Sequence, residues 1–152
     1  MKRLNIFYAV VVVLFTVGCS LFSPRPPKVN LPLLDGDWSI IFSYSGGIAG
    51  LSRQIQISSD GQFTAMDVYG NNTATGTLTP DQMAELKELI ESSEYIAPVG
   101  IEGGCADCFY YEISIQGSDN NFNVQTDDIN ISDSGLAPLI NYLRIFLDNH
   151  LK

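Results

Sequence analysis

Beyond residue 37 the chain is mostly an alternation of apolar and polar positions, broken where glycine, proline, asparagine and aspartate cluster. Trp38–Ser45 is rich in β-branched and aromatic residues, which suit a pleated, half-buried surface. Leu51–Ile57 alternates, with Leu51, Ile55 and Ile57 on one face and Ser52, Gln54 and Gln56 on the other. Between them lie Gly46, Gly47, Ile48, Ala49 and Gly50, whose three glycines offer the positive φ a tight reversal needs. The two arms therefore predict a hairpin. Ile48 is out of place in such a turn. Either the tip folds back onto the domain, or it is presented to a partner from a rigid scaffold. A rim of exposed apolar residues around the tip would favour presentation.

Ser58-Ser59-Asp60-Gly61 reads as a turn, Gln62–Tyr69 as a third strand and Thr73–Leu78 as a fourth, so these segments form a meander. A helix then opens on Thr79 as N-cap, with Pro80 in its first position and Gln82 closing a capping box. Met83, Leu86, Leu89 and Ile90 make its apolar stripe, and Asp81, Glu85, Glu88, Glu91 and Glu94 read as a solvated face. After Pro98 and a glycine-rich loop, Cys108–Gln116 alternates clearly, with Phe109, Tyr111, Ile113 and Ile115 on one face. Phe122 and Val124 lie on the inward face of a returning strand. Leu136–Asn149 predicts a second helix with core face Leu136, Leu139, Ile140, Leu143 and Phe146 or Leu147. The expected fold is α+β: an antiparallel sheet of about six strands, a meander plus a hairpin, packed by two amphipathic helices.

The N-terminus follows another pattern. Lys2 and Arg3 precede an apolar run, Leu4–Val17, that is too short for a membrane span of about 20 residues. It fits a secretory signal peptide over residues 1–18. Thr16-Val17-Gly18-Cys19-Ser20 resembles a bacterial lipobox, in which Cys19 becomes the lipid-bearing first mature residue. An uncleaved anchor helix is the other reading. Both place the folded part outside the cytoplasm, on the outer face of a membrane; Ser20 resembles outer-membrane sorting where a cell has one. Residues 19–32, with Pro24, Pro26, Pro27 and Pro32, read as a semi-rigid tether. Residues 33–152 then make the single domain.

Charge narrows the partners. The 152 residues carry 17 acidic and 8 basic side chains, a formal charge of −9, and removing Lys2 and Arg3 takes it to −11. Such a surface repels nucleic acid and anionic head groups. Chemistry is sparse. Outside the cytoplasm Cys105 and Cys108 point to a disulfide. A redox pair would favour a helix N-terminus, whereas this pair precedes a strand. Zinc would need further ligands, and the domain's one histidine is His150, near the chain end. Read as a calcium loop from Asp128, Asp127–Asp133 puts Asp133 where glycine is needed and Leu139 where the bidentate glutamate belongs. It reads instead as a polar loop before a helix. No nucleophile elbow or phosphate loop is present in the sequence, so a cofactor-free, non-enzymatic protein is expected.

The motifs together have a familiar order. An apolar strand leads into Ser45-Gly46-Gly47-Ile48-Ala49-Gly50, with Arg53 close behind. Leu78-Thr79-Pro80-Asp81-Gln82 opens a helix with Leu86 and Leu89. Asp107–Ile115 forms a strand, and Leu136-Ala137-Pro138-Leu139 leads a terminal helix. From about Trp38 to Leu147 this resembles the emfourin family, proteinaceous inhibitors of protealysin, a thermolysin-like metallopeptidase. The leader, the hairpin from Phe63 to Leu78 and the Cys105–Cys108 pair depart from that family's pattern. The resemblance implies inhibition by surface occlusion, with Gly46, Gly47, Ile48, Ala49 and Gly50 at the contact and Arg53 in support. The extracellular partner would be a metallopeptidase. The alternative is a non-inhibitory envelope binding or structural module on the same fold.

Overall fold

The computed structural model describes residues 27–98, 105–117 and 120–152; Cys19 and the leader lie outside them. The strands are β1 (Lys28–Asn30), β2 (Ser39–Gly46), β3 (Leu51–Ser58), β4 (Gln62–Asp67), β5 (Asn72–Thr77), β6 (Glu94–Ile96), β7 (Phe109–Gln116) and β8 (Asn121–Asp127). The helices are α1 (Pro80–Ser92) and α2 (Ala137–His150). The fold is the expected α+β. Six strands form one antiparallel sheet in the order β5-β4-β3-β2-β7-β8, and β1 pairs with β6 in a separate two-stranded sheet.

Period-2 alternation decides which sheet face is covered. Ile40, Phe42 and Tyr44 of β2, Ile55 and Ile57 of β3, and Tyr111, Ile113 and Ile115 of β7 are all buried on one side. There they join Leu86 and Ile90 of α1 and Leu139, Ile140, Leu143, Phe146 and Leu147 of α2 in one core. Met83 and Leu89, the outer members of the α1 stripe, are only partly buried. The register aligns Thr75, Thr64, Gln56, Ile41, Ser114 and Asn123 in one row across the other face, which is largely uncharged and polar. The start of α1 follows the sequence closely: the Gln82 N–H donates to Thr79 Oγ1 at 3.3 Å, and the Thr79 N–H donates to Gln82 Oε1 at 2.9 Å.

Two boundaries differ from expectation. Lys28–Asn30, read as the end of the tether, pairs with Glu94–Ile96, and Leu31 is buried. Packing thus begins before Leu33. Three-residue strands carry too little alternation to be recognised, and the flanking prolines mask this one. At the other end, Leu151 is buried and the His150 ring stacks on Phe146 at 4.3 Å and meets Phe63 edge-on at 4.8 Å. His150 Nδ1 lies 2.7 Å from the Phe146 carbonyl. The chain end is therefore held by aromatic packing.

β2 runs from the end of the sheet where the chain enters to the end where it reverses. The Leu33 carbonyl and the Pro32 side chain lie beside Gly117, at the entry end, and Gly46 pairs with Leu51 at the other.

Candidate hairpin-tip site

The reversal after β2 is built by glycine where glycine is needed. Gly46 and Gly47 have φ of +117° and +68°, a region that disfavours side chains. A Cβ on Gly46 would lie 2.3 Å from the Cys108 carbonyl oxygen, and one on Gly47 would lie 2.6 Å from the Phe109 ring. The gap lets β7 press against the turn: the Gly47 N–H donates to the Cys108 carbonyl at 3.2 Å, and the Gly50 N–H closes the turn on the Gly47 carbonyl at 3.0 Å. Cys105 and Cys108 form a disulfide, so the small ring ending at Cys108 abuts the base of the tip. The tip does not fold back on the domain. Ile48 is 92% exposed, and Ala49 and Gly50 are exposed beside it.

Beneath the tip is an aromatic base. Phe109 meets Tyr44 edge-on at 5.6 Å, and Tyr111 stacks near Phe42 at 6.4 Å. Carboxylates from distant parts of the chain anchor this base. The Tyr44 hydroxyl donates to Asp148 of α2. The Tyr111 hydroxyl and the Phe109 N–H donate to Asp128 at 2.7 and 2.8 Å. Asp127 Oδ1 accepts from the Ile129 N–H, the Asn130 N–H and Asn130 Nδ2. The acidic loop thus braces the start of β7 and its own turn. It does not supply acidic residues to the first turn of α2, whose N-cap is Leu136.

Arg53 has the parity of Ile55 and Ile57 and lies on the helix side of the sheet. Its Nε donates to Asp67 of β4 at 3.1 Å, and its Nη1 donates to Asp148 at 2.8 Å. Burial disfavours its charge, but the bonds to Asp148 and Asp67 outweigh this and raise its pKa. The Gly70 N–H and then Arg53 hold the Asp67 carboxyl below the usual range. Arg53 therefore ties the stem of the tip to β4 and α2; its guanidinium does not sit among the exposed tip residues. Asp67, Asp148 and Asp128 were not foreseen. Asp148 is 95 positions from Arg53, and nothing in local spacing announces such a pair.

These bonds predict an alkaline weakness. Burial, then Asp148, pushes the Tyr44 hydroxyl from an ordinary 10 to about 12. Burial, then Asp128, does the same to Tyr111. A pKa higher in the folded chain means that stability is complete below pH 10 and is lost as pH rises from about 10 to 12. Each tyrosine is expected to remove about 1–2 kcal/mol over that window, the part of the effect that solvent does not screen. Thermal midpoints at pH 8 and 11 check this: Tyr44→Phe and Tyr111→Phe should flatten the fall, and an unchanged slope would contradict it.

No protein-family model matches the chain, and no curated protein matches it.

Proposed function

We propose that the protein is a non-enzymatic, lipid-anchored extracytoplasmic inhibitor that covers the working surface of a thermolysin-like metallopeptidase with its hairpin tip. One observation carries the reading: Ile48 stands 92% exposed on a tip braced from below by backbone bonds to β7. A large apolar side chain on a rigid loop has little to gain from water and much to gain from a partner's apolar pocket. The tip needs no cofactor for this. A tip packed on the core would have favoured the alternative, a non-inhibitory envelope binding or structural module on the same fold; the exposure of Ile48 favours the inhibitor reading instead. Cys19 would supply the membrane attachment. The acidic surface directs the domain towards protein rather than nucleic acid.

The test is inhibition of thermolysin and related peptidases by the full chain in detergent, with an acyl-chain label confirming lipid on Cys19. Dose-dependent inhibition at micromolar concentration is expected. Full peptidase activity across several such enzymes would remove the inhibitor reading, and label persisting in Cys19→Ser would remove the lipid anchor.

A further inference from the structure

Ile48 is not alone at its end of the sheet. Met66, Val68 and Tyr69, where β4 turns towards β5, are exposed, as is Ile129 just after β8; Tyr69 is 76% exposed. At the opposite end the Ser58–Gly61 turn carries no large apolar residue, and Leu33, beside Gly117, is the exposed one there.

The Val68–Tyr69 turn stands beside the stem of the tip. The Val68 N–H donates to the Ser52 carbonyl at 2.8 Å, two residues beyond Gly50. That places the turn one strand spacing, about 4.8 Å, from the tip's own hairpin. The turn is also fixed in shape. Asp67 Oδ1 accepts from the Gly70 N–H at 2.7 Å, Asn71 adopts a left-handed φ of 48°, and Arg53 holds the other Asp67 oxygen. All these bonds use the backbone, Asp67 or Arg53. None depends on the side chains at 68 and 69, so polar residues would serve the turn equally well and would suit water better. Val68 and Tyr69 are also absent from the core and from the residues packed against it.

We infer that Val68 and Tyr69 form a second contact on the same partner as Ile48, and that Arg53 is a positioning residue that sets the spacing of the two prongs. This rests on the inhibitor reading. The partner surface it fits is a peptidase cleft with an apolar pocket for Ile48 and a neighbouring ledge for an aromatic ring. Tyr69 suits such a ledge, since tyrosine offers a large apolar body with a polar end. Arg53 reaches the turn through Asp67, and the charged fork is what lysine cannot reproduce.

The experiment measures inhibition of thermolysin by the full chain and its variants. Val68→Ser combined with Tyr69→Ala should weaken inhibition by about 10- to 100-fold with an unchanged thermal midpoint, the range seen for central interface anchors. Ile145→Ser, on α2 at 57% exposure, should match the wild type. Arg53→Lys should weaken inhibition in the wild-type background and have little further effect once Val68 and Tyr69 are replaced; a general loss of stability would act equally in both. If the double variant inhibits as well as the wild type, the second prong is wrong and the inhibitor reading stands. If Arg53→Lys acts equally in both backgrounds, its positioning role is wrong. If the wild type itself leaves thermolysin-like enzymes untouched, the inhibitor reading falls and the second prong falls with it.

Discussion

Ile48→Asp is expected to abolish inhibition of a thermolysin-like peptidase, by at least about 100-fold, while moving the thermal midpoint by less than about 3 °C. The two halves of the prediction have different causes. In the free protein position 48 is in water, so an added carboxylate loses no hydration and breaks no contact. In a closed interface the same carboxylate would be desolvated without a partner, which costs several kcal/mol. About 1.4 kcal/mol is a factor of ten in affinity, so a 100-fold loss is a modest expectation. The pairing of the two measurements separates contact from scaffold. A midpoint that fell sharply would mean that Ile48 packs on the domain, and inhibition that survived would remove it from the contact.

Gly46→Ala is expected to damage the fold itself. The added methyl meets two obstacles at once. The φ of +117° is a conformation that alanine rarely adopts, and its Cβ would sit 2.3 Å from the Cys108 carbonyl oxygen. Backbone strain of this kind costs about 1–3 kcal/mol, and a clash with backbone that cannot rotate away adds a similar amount. A loss of about 3–5 kcal/mol follows, a large share of the stability of a domain this size. Denaturant unfolding at neutral pH measures it. Relief would require the β2–β7 ladder to open at its last pair, Gly46 with Phe109, so amide exchange at Gly47 should rise even under conditions where the variant stays folded. A change below about 1 kcal/mol would show that the turn relaxes freely and that the tip is not braced as described.

Short-range interactions are the ones legible in the residues themselves. The central strands, the capping box at Thr79 and the core face of α2 rest on local alternation, helical spacing and capping chemistry, and all were legible. The Gly46–Gly50 reversal was legible for the same reason. What kept Ile48 from being placed was that a turn's composition does not say which way its side chains face; that depends on the closeness of β7, which arrives some sixty residues later in the chain. Arg53 shows the same limit. Its parity with Ile55 put it on the inner face, but the reason a charge is tolerated there is Asp148, on the last helix. β1 and β6 were missed because each is only three residues long and its partner strand lies far away in the chain. The disulfide, by contrast, was anticipated from the short Cys105–Cys108 spacing and the compartment that the leader leads one to expect.

The direction of β2 has a further consequence. Its eight residues span about 26 Å from the end where the chain enters to the end where it reverses. The tip is thus held a full strand's length from the Ser58–Gly61 turn, and a partner bound at one end of the sheet would leave the other end free.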